Sequence, residues 1–500
     1  MAVAGLDIGT GGCKCTVFTD SGKISTYSYR EYSPERTPSG YLELNPELVW
    51  NSVFHVLKQA VDKHSGSDVK ALCITSFGET GVFLDKNGKV LRNSLLYTDF
   101  RGEEQSKEFL NKLGLDEIVS RSGHTPHPMY SFSKIMWIRD NEPEIYRETD
   151  MFLLYADFIL YKLSGSNFVD WSLASRTCLF NIKEKKFDEV LANAANIKLG
   201  IFSEPVQPGT AVAEMKTSIA EELGLKGNVQ LVLGGQDQIC AALGAGILND
   251  GNAVNGIGTV DCITPLFDNP VLNNKMTEAG FSCVPYMIPN HYVTYAFNYS
   301  GGALLRWYRE NFGRGAISGL DCNEPSVYSS LELYAPKEPT KLLVLPHFQG
   351  AATPYMDIDA VGAIIGLTSE TDAFSMYRGL MEGIAYEAKV NIDALNEAGI
   401  AIDRLSTCGG GSRSPMWMQI RADVFNIPID VLEVEEAGTL GAAIMAGTAC
   451  GLYNDLEDGV NNLVRIKKTY HPNKKNSEIY QEQYSKYKKI YKSIKEIEGR

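Results

Sequence analysis

The spacing of apolar and polar positions in this 500-residue chain changes period along its length. Apolar residues run from Val3 to Ile8, interrupted by Asp7, and lead into the turn Gly9-Thr10-Gly11-Gly12. Alternation follows, with Cys13, Cys15 and Val17 on one face and Lys14, Thr16 and Phe18 on the other. Period two beyond the glycines predicts strand–turn–strand rather than strand–turn–helix. A third strand is expected over 24–30, after the turn Asp20-Ser21-Gly22-Lys23. Residues 46–64 switch to helical spacing, with Leu48, Val49, Ser52, Val53, Val56 and Leu57 on one face. Short strands are expected at 69–75 and 82–84, and helices at 134–139, 157–163 and 187–195. A strand at 231–233 runs into Gly234-Gly235-Gln236-Asp237-Gln238 and then a helix of small residues, 239–246.

The second half repeats this style. Strands are expected at 342–345 and 405–408, the latter stopped by Gly409-Gly410-Gly411, and helices at 373–399 and 415–425. Residues 438–450 are rich in Gly and Ala, which suits close helix packing. Residues 477–496 read as one charged helix with Tyr480, Tyr484, Tyr487, Tyr491 and Ile494 on one face, a stripe for docking it onto a domain. Asn255-Gly256-Ile257-Gly258-Thr259-Val260 echoes Asp7-Ile8-Gly9-Thr10, and Thr259 lies 249 positions after Thr10, half the chain length. Five hundred residues exceed one core, so two α/β domains are expected, 1–248 and 249–500.

Composition narrows the partners. A net charge of −14 argues against nucleic acid but not against a nucleotide, because local loops and a metal ion handle phosphate charge. No run of about eighteen apolar residues occurs, so no membrane span is expected, and the N-terminus enters a strand without a signal-peptide pattern. The ten cysteines are scattered, and Cys13 with Cys15 is too little for a zinc site; a reducing cytoplasm is the expected setting. His124 and His127, in a Pro-broken loop, are expected to be ordinary surface residues.

Four places can carry chemistry. The first hairpin either cradles phosphate with backbone N–H groups, the Thr10 hydroxyl and Lys14, or is an ordinary turn. Asp7, at a strand end, is placed to hold magnesium through water. Asp237 is either a general base facing a cleft or a helix N-cap. Glu79, Asp99 and Arg101 either hold the hydroxyls of a polyol or form a surface salt bridge. Gly409-Gly410-Gly411 allows close approach of a flat ring or phosphate, against the alternative of a tight turn.

In this order, these segments resemble the FGGY carbohydrate kinases. The resemblance takes in Asp7-Ile8-Gly9-Thr10 through Lys14, residues 172–182, Gly234-Gly235-Gln236-Asp237, Gly258-Thr259, Leu345-Pro346-His347-Phe348-Gln349-Gly350 through Thr368, and Gly409-Gly410-Gly411-Ser412-Arg413-Ser414 with Gln419, Ala422 and Asp423. It implies an actin/hexokinase-like fold of two ribonuclease-H-like domains around a cleft, and transfer of the ATP γ-phosphate to a sugar or polyol hydroxyl. It also implies Asp237 as the base and Asp7 at Mg2+, with Thr10, Gly11, Lys14, Gly258, Thr259 and Gly302 at the phosphates. Gly410, Gly411 and Ser414 would lie at the adenosine, and Gly78, Glu79, Asp99, Arg101 and Gln238 at the substrate. Departures occur in the substrate loop: glycerol kinases carry arginine where Gly78 stands, and xylulokinases a Met-His pair where this chain has Gly78-Glu79. Another departure is Ala360-Val361-Gly362, where the family often shows Ala-Arg-Gly. The expected substrate is a ketopentose such as xylulose or ribulose. Glycerol, fuculose and erythritol are alternatives, as is an actin- or chaperone-like ATP switch without a sugar, and the oligomeric state stays open, a homodimer included.

Overall fold

The computed structural model describes residues 1–64, 68–318 and 326–499. In the first half the principal elements are strands β1 (Ala2–Gly9), β2 (Gly12–Thr19) and β3 (Ile24–Glu31), helix α1 (Pro46–Lys63) and strand β4 (Val69–Ser76). Helices α2 (Ser131–Asn141) and α3 (Trp171–Ser175), strands β5 (Ala211–Glu214) and β6 (Gln230–Gln236), and helix α4 (Asp237–Gly244) follow. The strands form one sheet in the order β5-β6-β4-β1-β2-β3. The three strands at its centre, β6, β4 and β1, are parallel, whereas β2, β3 and β5 are antiparallel to their neighbours. Residues on both faces of β2 are buried, because α1 covers one side and a helix from the second half covers the other.

The second half opens with β7 (Asn252–Ile257), β8 (Asp261–Asp268), β9 (Val284–Pro285), β10 (His291–Val293) and β11 (Ala296–Asn298). Next come α5 (Gly302–Tyr308), α6 (Ala373–Glu397), β12 (Arg404–Cys408), α7 (Pro415–Phe425) and β13 (Ile429–Leu432). Helix α8 (Ala437–Ala449), β14 (Ile466–Tyr470), α9 (Lys474–Tyr487) and α10 (Ile490–Glu498) complete it. Its sheet has the order β9-β10-β8-β7-β12-β13-β14, with β11 also on β8. β7 pairs antiparallel with β8 and parallel with β12, as β1 does with β2 and β4. The echoed Gly-Thr segments are thus the turns of two equivalent hairpins.

Between the sheets, α4 and α8 cross with backbone against backbone. A Cβ on Gly441 would sit 1.9 Å from the Cys240 carbonyl oxygen, and one on Gly244 would sit 1.9 Å from that of Ala437. Where α8 lies on β1, a Cβ on Gly5 would come within 2.4 Å of the Thr439 carbonyl oxygen. These glycines explain the small-residue run at 438–450. The C-terminal segment differs from the single helix expected, because it breaks at Lys488–Lys489 into α9 and α10. Its tyrosine stripe does dock, onto α6. Tyr480 bonds Arg378 and Glu382, Tyr484 donates to Asp393, and Tyr487 donates to Glu387. Each hydroxyl finds a charged partner, which lets these rings stay buried. Among the described residues no helix is long and apolar enough to cross a membrane.

Gly441→Ala is expected to lower unfolding stability by roughly 3 kcal/mol, because neither helix backbone can retreat. Gly315→Ala, with nothing within 4 Å of its new Cβ, is expected to be neutral. Chemical denaturation of the two variants side by side checks this.

Candidate active site

The two hairpins and the starts of α4 and α8 converge on a cleft of about 250 Å³. Asp7 and Lys14 are direct cross-strand partners on β1 and β2, and both side chains reach into it. Lys14 Nζ lies 3.2 Å from Asp7 Oδ2 and 2.5 Å from Glu436 Oε2, just before α8. Burial disfavours this ammonium, but the two carboxylates outweigh it and hold its pKa above the ordinary lysine value. Lys14 therefore ties the first hairpin to the second half of the chain.

Asp237 is the first residue of α4 and lines the same cleft. It is not the N-cap; Gln236 is, accepting from the Gln238 N–H through its side chain. The same Gln236 Oε1 accepts a 2.8 Å bond from the Tyr295 hydroxyl. The Asp237 carboxyl is pushed up to about 7, first by burial in the narrow cleft and then by the nearby Asp7 carboxylate. A carboxyl near neutrality, with a cap role already filled, has the properties of a general base.

Glu79 is buried with a left-handed backbone, φ 64°. Its Oε1 accepts a 2.5 Å bond from Arg176 Nε, and the Arg176 Nη2 also pairs with it. Arg101 pairs instead with Asp99, at 2.7 Å, and with Glu43, at 2.8 Å. That cluster is buried, so it is not the exposed salt bridge that was one expectation. Both Asp99 carboxylate oxygens are engaged, Oδ1 and Oδ2 by Arg101 and Oδ2 also by the Leu42 N–H. Lys134 on α2 anchors this loop from below, donating to the Asp99 and Arg101 carbonyls at 2.5 and 2.7 Å. Burial pulls its ammonium down to about 7 despite the Asp99 carboxylate.

The second hairpin exposes Gly258 and Thr259. Gly302 opens α5 against it, its N–H donating to the Gly258 carbonyl at 2.8 Å. Of the three consecutive glycines, Gly409 and Gly411 are explained by packing on Ile257, where a Cβ would sit 2.7 and 2.3 Å from its atoms. Gly410 faces open space, with nothing within 4 Å of a Cβ built on it, so packing within the chain does not account for it. The Ser414 hydroxyl accepts from the Trp417 N–H and caps α7.

The structure also brings in residues that sequence reasoning did not reach. Glu436 and Tyr295 come from other elements, and Arg176, within the 172–182 stretch that carried the resemblance, had been given no role in the site. The acidic pair Glu435-Glu436 ahead of the Gly/Ala helix is the one signal that was available. The expectation for His124 is corrected: it is fully buried, with its Nδ1 at 3.1 Å from the Tyr130 hydroxyl. Burial, and then Arg176, hold its pKa well below the ordinary histidine value.

Comparison with known proteins bears on the family and the fold. A family model described as the N-terminal domain of the FGGY family of carbohydrate kinases matches residues 2–244, and its C-terminal counterpart matches 253–450. The chain is 27% identical over 500 residues to a xylulose kinase of Staphylococcus epidermidis, covering 99% of this chain and 97% of that protein. It is 26% identical over 467 residues to a gluconokinase of Bacillus subtilis, covering 92% and 90%. The crystal structure of a ligand-bound xylulose kinase from Lactobacillus acidophilus superposes with a TM-score of 0.89 at 23% identity, over 99% of this chain and 98% of that one. The fold is the expected actin/hexokinase-like one.

The Asp237 environment has a consequence for stability. The folded pKa of about 7 lies above the ordinary 3.8, so ionisation costs the folded state progressively as pH rises from about 4 to 7. Asp237→Asn should therefore be more stable than wild type at pH 8, by up to about 4 kcal/mol, with the gap narrowing as pH falls through 7 and closing near pH 4. Thermal unfolding at both pH values measures it.

Proposed function

This chain belongs to the FGGY family of carbohydrate kinases, and from that premise we propose that it transfers the γ-phosphate of ATP to a hydroxyl of a small neutral sugar, a ketopentose such as xylulose or ribulose. The observation that carries the proposal is Asp237: a carboxyl held near neutrality between two phosphate-facing hairpins, in the cleft that both halves line. In this reading Asp237 takes the proton from the attacking hydroxyl. The turn residues Thr10, Gly11, Gly258 and Thr259, with Gly302 against them, border the phosphates, and Lys14 lies beside them; the Gly258 and Gly302 N–H groups are taken by the Val260 and Gly258 carbonyls and hold the second turn in shape. Gly410 and Gly411 border the adenosine, and Ser414 shapes that edge through its helix cap. Gly78, Glu79 and Gln238 line the sugar side, and Asp99 with Arg101 holds its wall. Phosphoryl transfer asks little more of a protein than such positioning and charge.

Among the described residues no cluster of three or more His, Cys, Asp or Glu could hold a metal ion. Asp7 beside the cleft fits a magnesium ion that arrives with the nucleotide, because Mg2+ keeps waters and needs only one or two protein carboxylates alongside phosphate oxygens. When bound, the ion neutralises phosphate charge. Closure of the two halves would keep water from the γ-phosphate.

Charge balance supports a neutral substrate. Lys14, Arg176 and Arg101 are each matched by carboxylates already: Asp7 and Glu436, Glu79, and Asp99 with Glu43. A sugar acid such as gluconate would set its own carboxylate beside Asp237 and Glu79 with none of these three cations uncommitted.

The test is a coupled ATP-consumption assay with magnesium against ketopentoses, deoxyketoses, alditols, glycerol and gluconate. A ketopentose is expected to give the highest kcat/KM, with gluconate at least about 100-fold lower; preference for gluconate would overturn the neutral-substrate reading. Asp237→Ala should lose about 10³-fold or more in kcat with ATP binding within about threefold of wild type. In wild type, kcat/KM should fall tenfold per pH unit below about 7, as the base takes up its proton. Unchanged turnover in Asp237→Ala would refute its role as base.

A further inference from the structure

One segment stands behind both sides of the site. Asp170 caps α3, its Oδ1 accepting from the Ser172 and Leu173 N–H groups at 2.8 and 3.0 Å and from the Ser172 hydroxyl at 2.5 Å. The Ser172 oxygen in turn accepts the Gln236 N–H at 2.9 Å. From the opposite side, the Thr75 hydroxyl donates to the Gly235 carbonyl at 2.7 Å. The Gly235–Gln236 peptide is thus gripped by both its N–H and its C=O, one residue before Asp237. Gly235 has φ +120°, and a Cβ there would sit 3.0 Å from the Ser172 oxygen, so the loop has no slack against α3.

At the other end of the same short helix stands Arg176. Its fork holds Glu79, and its guanidinium lies 5.0 Å and 5.5 Å from the ring centres of Tyr130 and Tyr295. Its stem occupies the space beside Gly78, where a Cβ would come within 3.0 Å of the Arg176 Cγ. Glu79 itself sits in a backbone conformation that a glutamate rarely adopts, and the arginine is what holds its carboxylate there.

We propose that the 170–176 segment sets the base and the sugar-holding carboxylate relative to one another: Ser172 is a positioning residue for Asp237, and Arg176 is a positioning residue that orients Glu79 and so determines specificity through it. The proposal rests on the kinase reading above. It separates the two ends of one element by their kinetic signature, since loosening the base affects the chemical step and loosening Glu79 affects sugar binding.

The experiment is steady-state kinetics of the full-length protein with MgATP and the sugar that the panel selects, with the unfolding midpoint of each variant recorded. Ser172→Ala is expected to lower kcat by about 10–100-fold with both KM values within about threefold. Arg176→Lys, which keeps the charge but not the fork, should raise the sugar KM by about 20-fold or more while leaving the ATP KM unchanged. Gly78→Ala pushes on the Arg176 stem from the other side and should move the sugar KM in the same direction by about 3–10-fold. Wild-type kinetics in these variants overturn the inference, as does a joint rise of both KM values that tracks a loss of stability. If Arg176→Lys does not fold, Ser172→Ala and Gly78→Ala still decide. A wild-type chain that phosphorylates no sugar overturns the underlying reading and this inference with it; an active wild type with unmoved variants overturns the inference alone.

Discussion

The contact on which this molecule depends is the crossing of α4 and α8, where two helix backbones touch without side chains between them. Gly244 and Gly441 make it, and a methyl group on either would overlap a carbonyl oxygen of the other helix. The crossing matters because of what each helix begins with. Asp237 starts α4, and Glu436 immediately precedes α8. Fixing the two helices fixes the candidate base relative to the carboxylate that holds Lys14. Close packing is rigid at this point because no flexible side chain can absorb a shift.

Around that crossing, the cleft is built from carboxylates in different environments. Asp7 is matched by Lys14, and Glu79 by Arg176. Among the described residues Asp237 has no such partner; it accepts its neighbour's N–H, and burial beside Asp7 lifts it toward neutrality. The same pairings consume the cations around the cleft, which shapes what substrate charge it tolerates.

Both halves use the same scheme, a hairpin whose turn faces the cleft and a parallel neighbour strand feeding a glycine-rich loop. In the first half the hairpin's parallel neighbour β4 feeds the loop of Gly78 and Glu79, and Asp237 follows directly from β6, one strand further out; in the second the neighbour β12 feeds the loop of Gly410. Duplicated geometry with divergent loops lets one half serve proton transfer and the other the nucleotide, as proposed, with the phosphates where the two hairpins meet.

Much of this was legible in the sequence, for reasons that are local. Period two after Gly9-Thr10-Gly11-Gly12 identified a hairpin, because side chains on a strand alternate whatever the tertiary context. The Gly-Thr echo at half-length revealed the second hairpin, and the Gly/Ala run at 438–450 foretold close helix packing. The tyrosine stripe near the C-terminus revealed a docked face, but not the break between α9 and α10. What the sequence left open are the choices that depend on a distant partner. Whether Asp237 caps a helix or faces a cleft was undecided until Gln236 was seen to fill the cap. Glu79 finds its cation 97 positions away in Arg176, not in nearby Arg101, and His124 is buried rather than exposed. Alternation and periodicity tell which face a residue occupies. Which residue comes to meet it, and how much water is left between them, is decided only when the chain closes on itself.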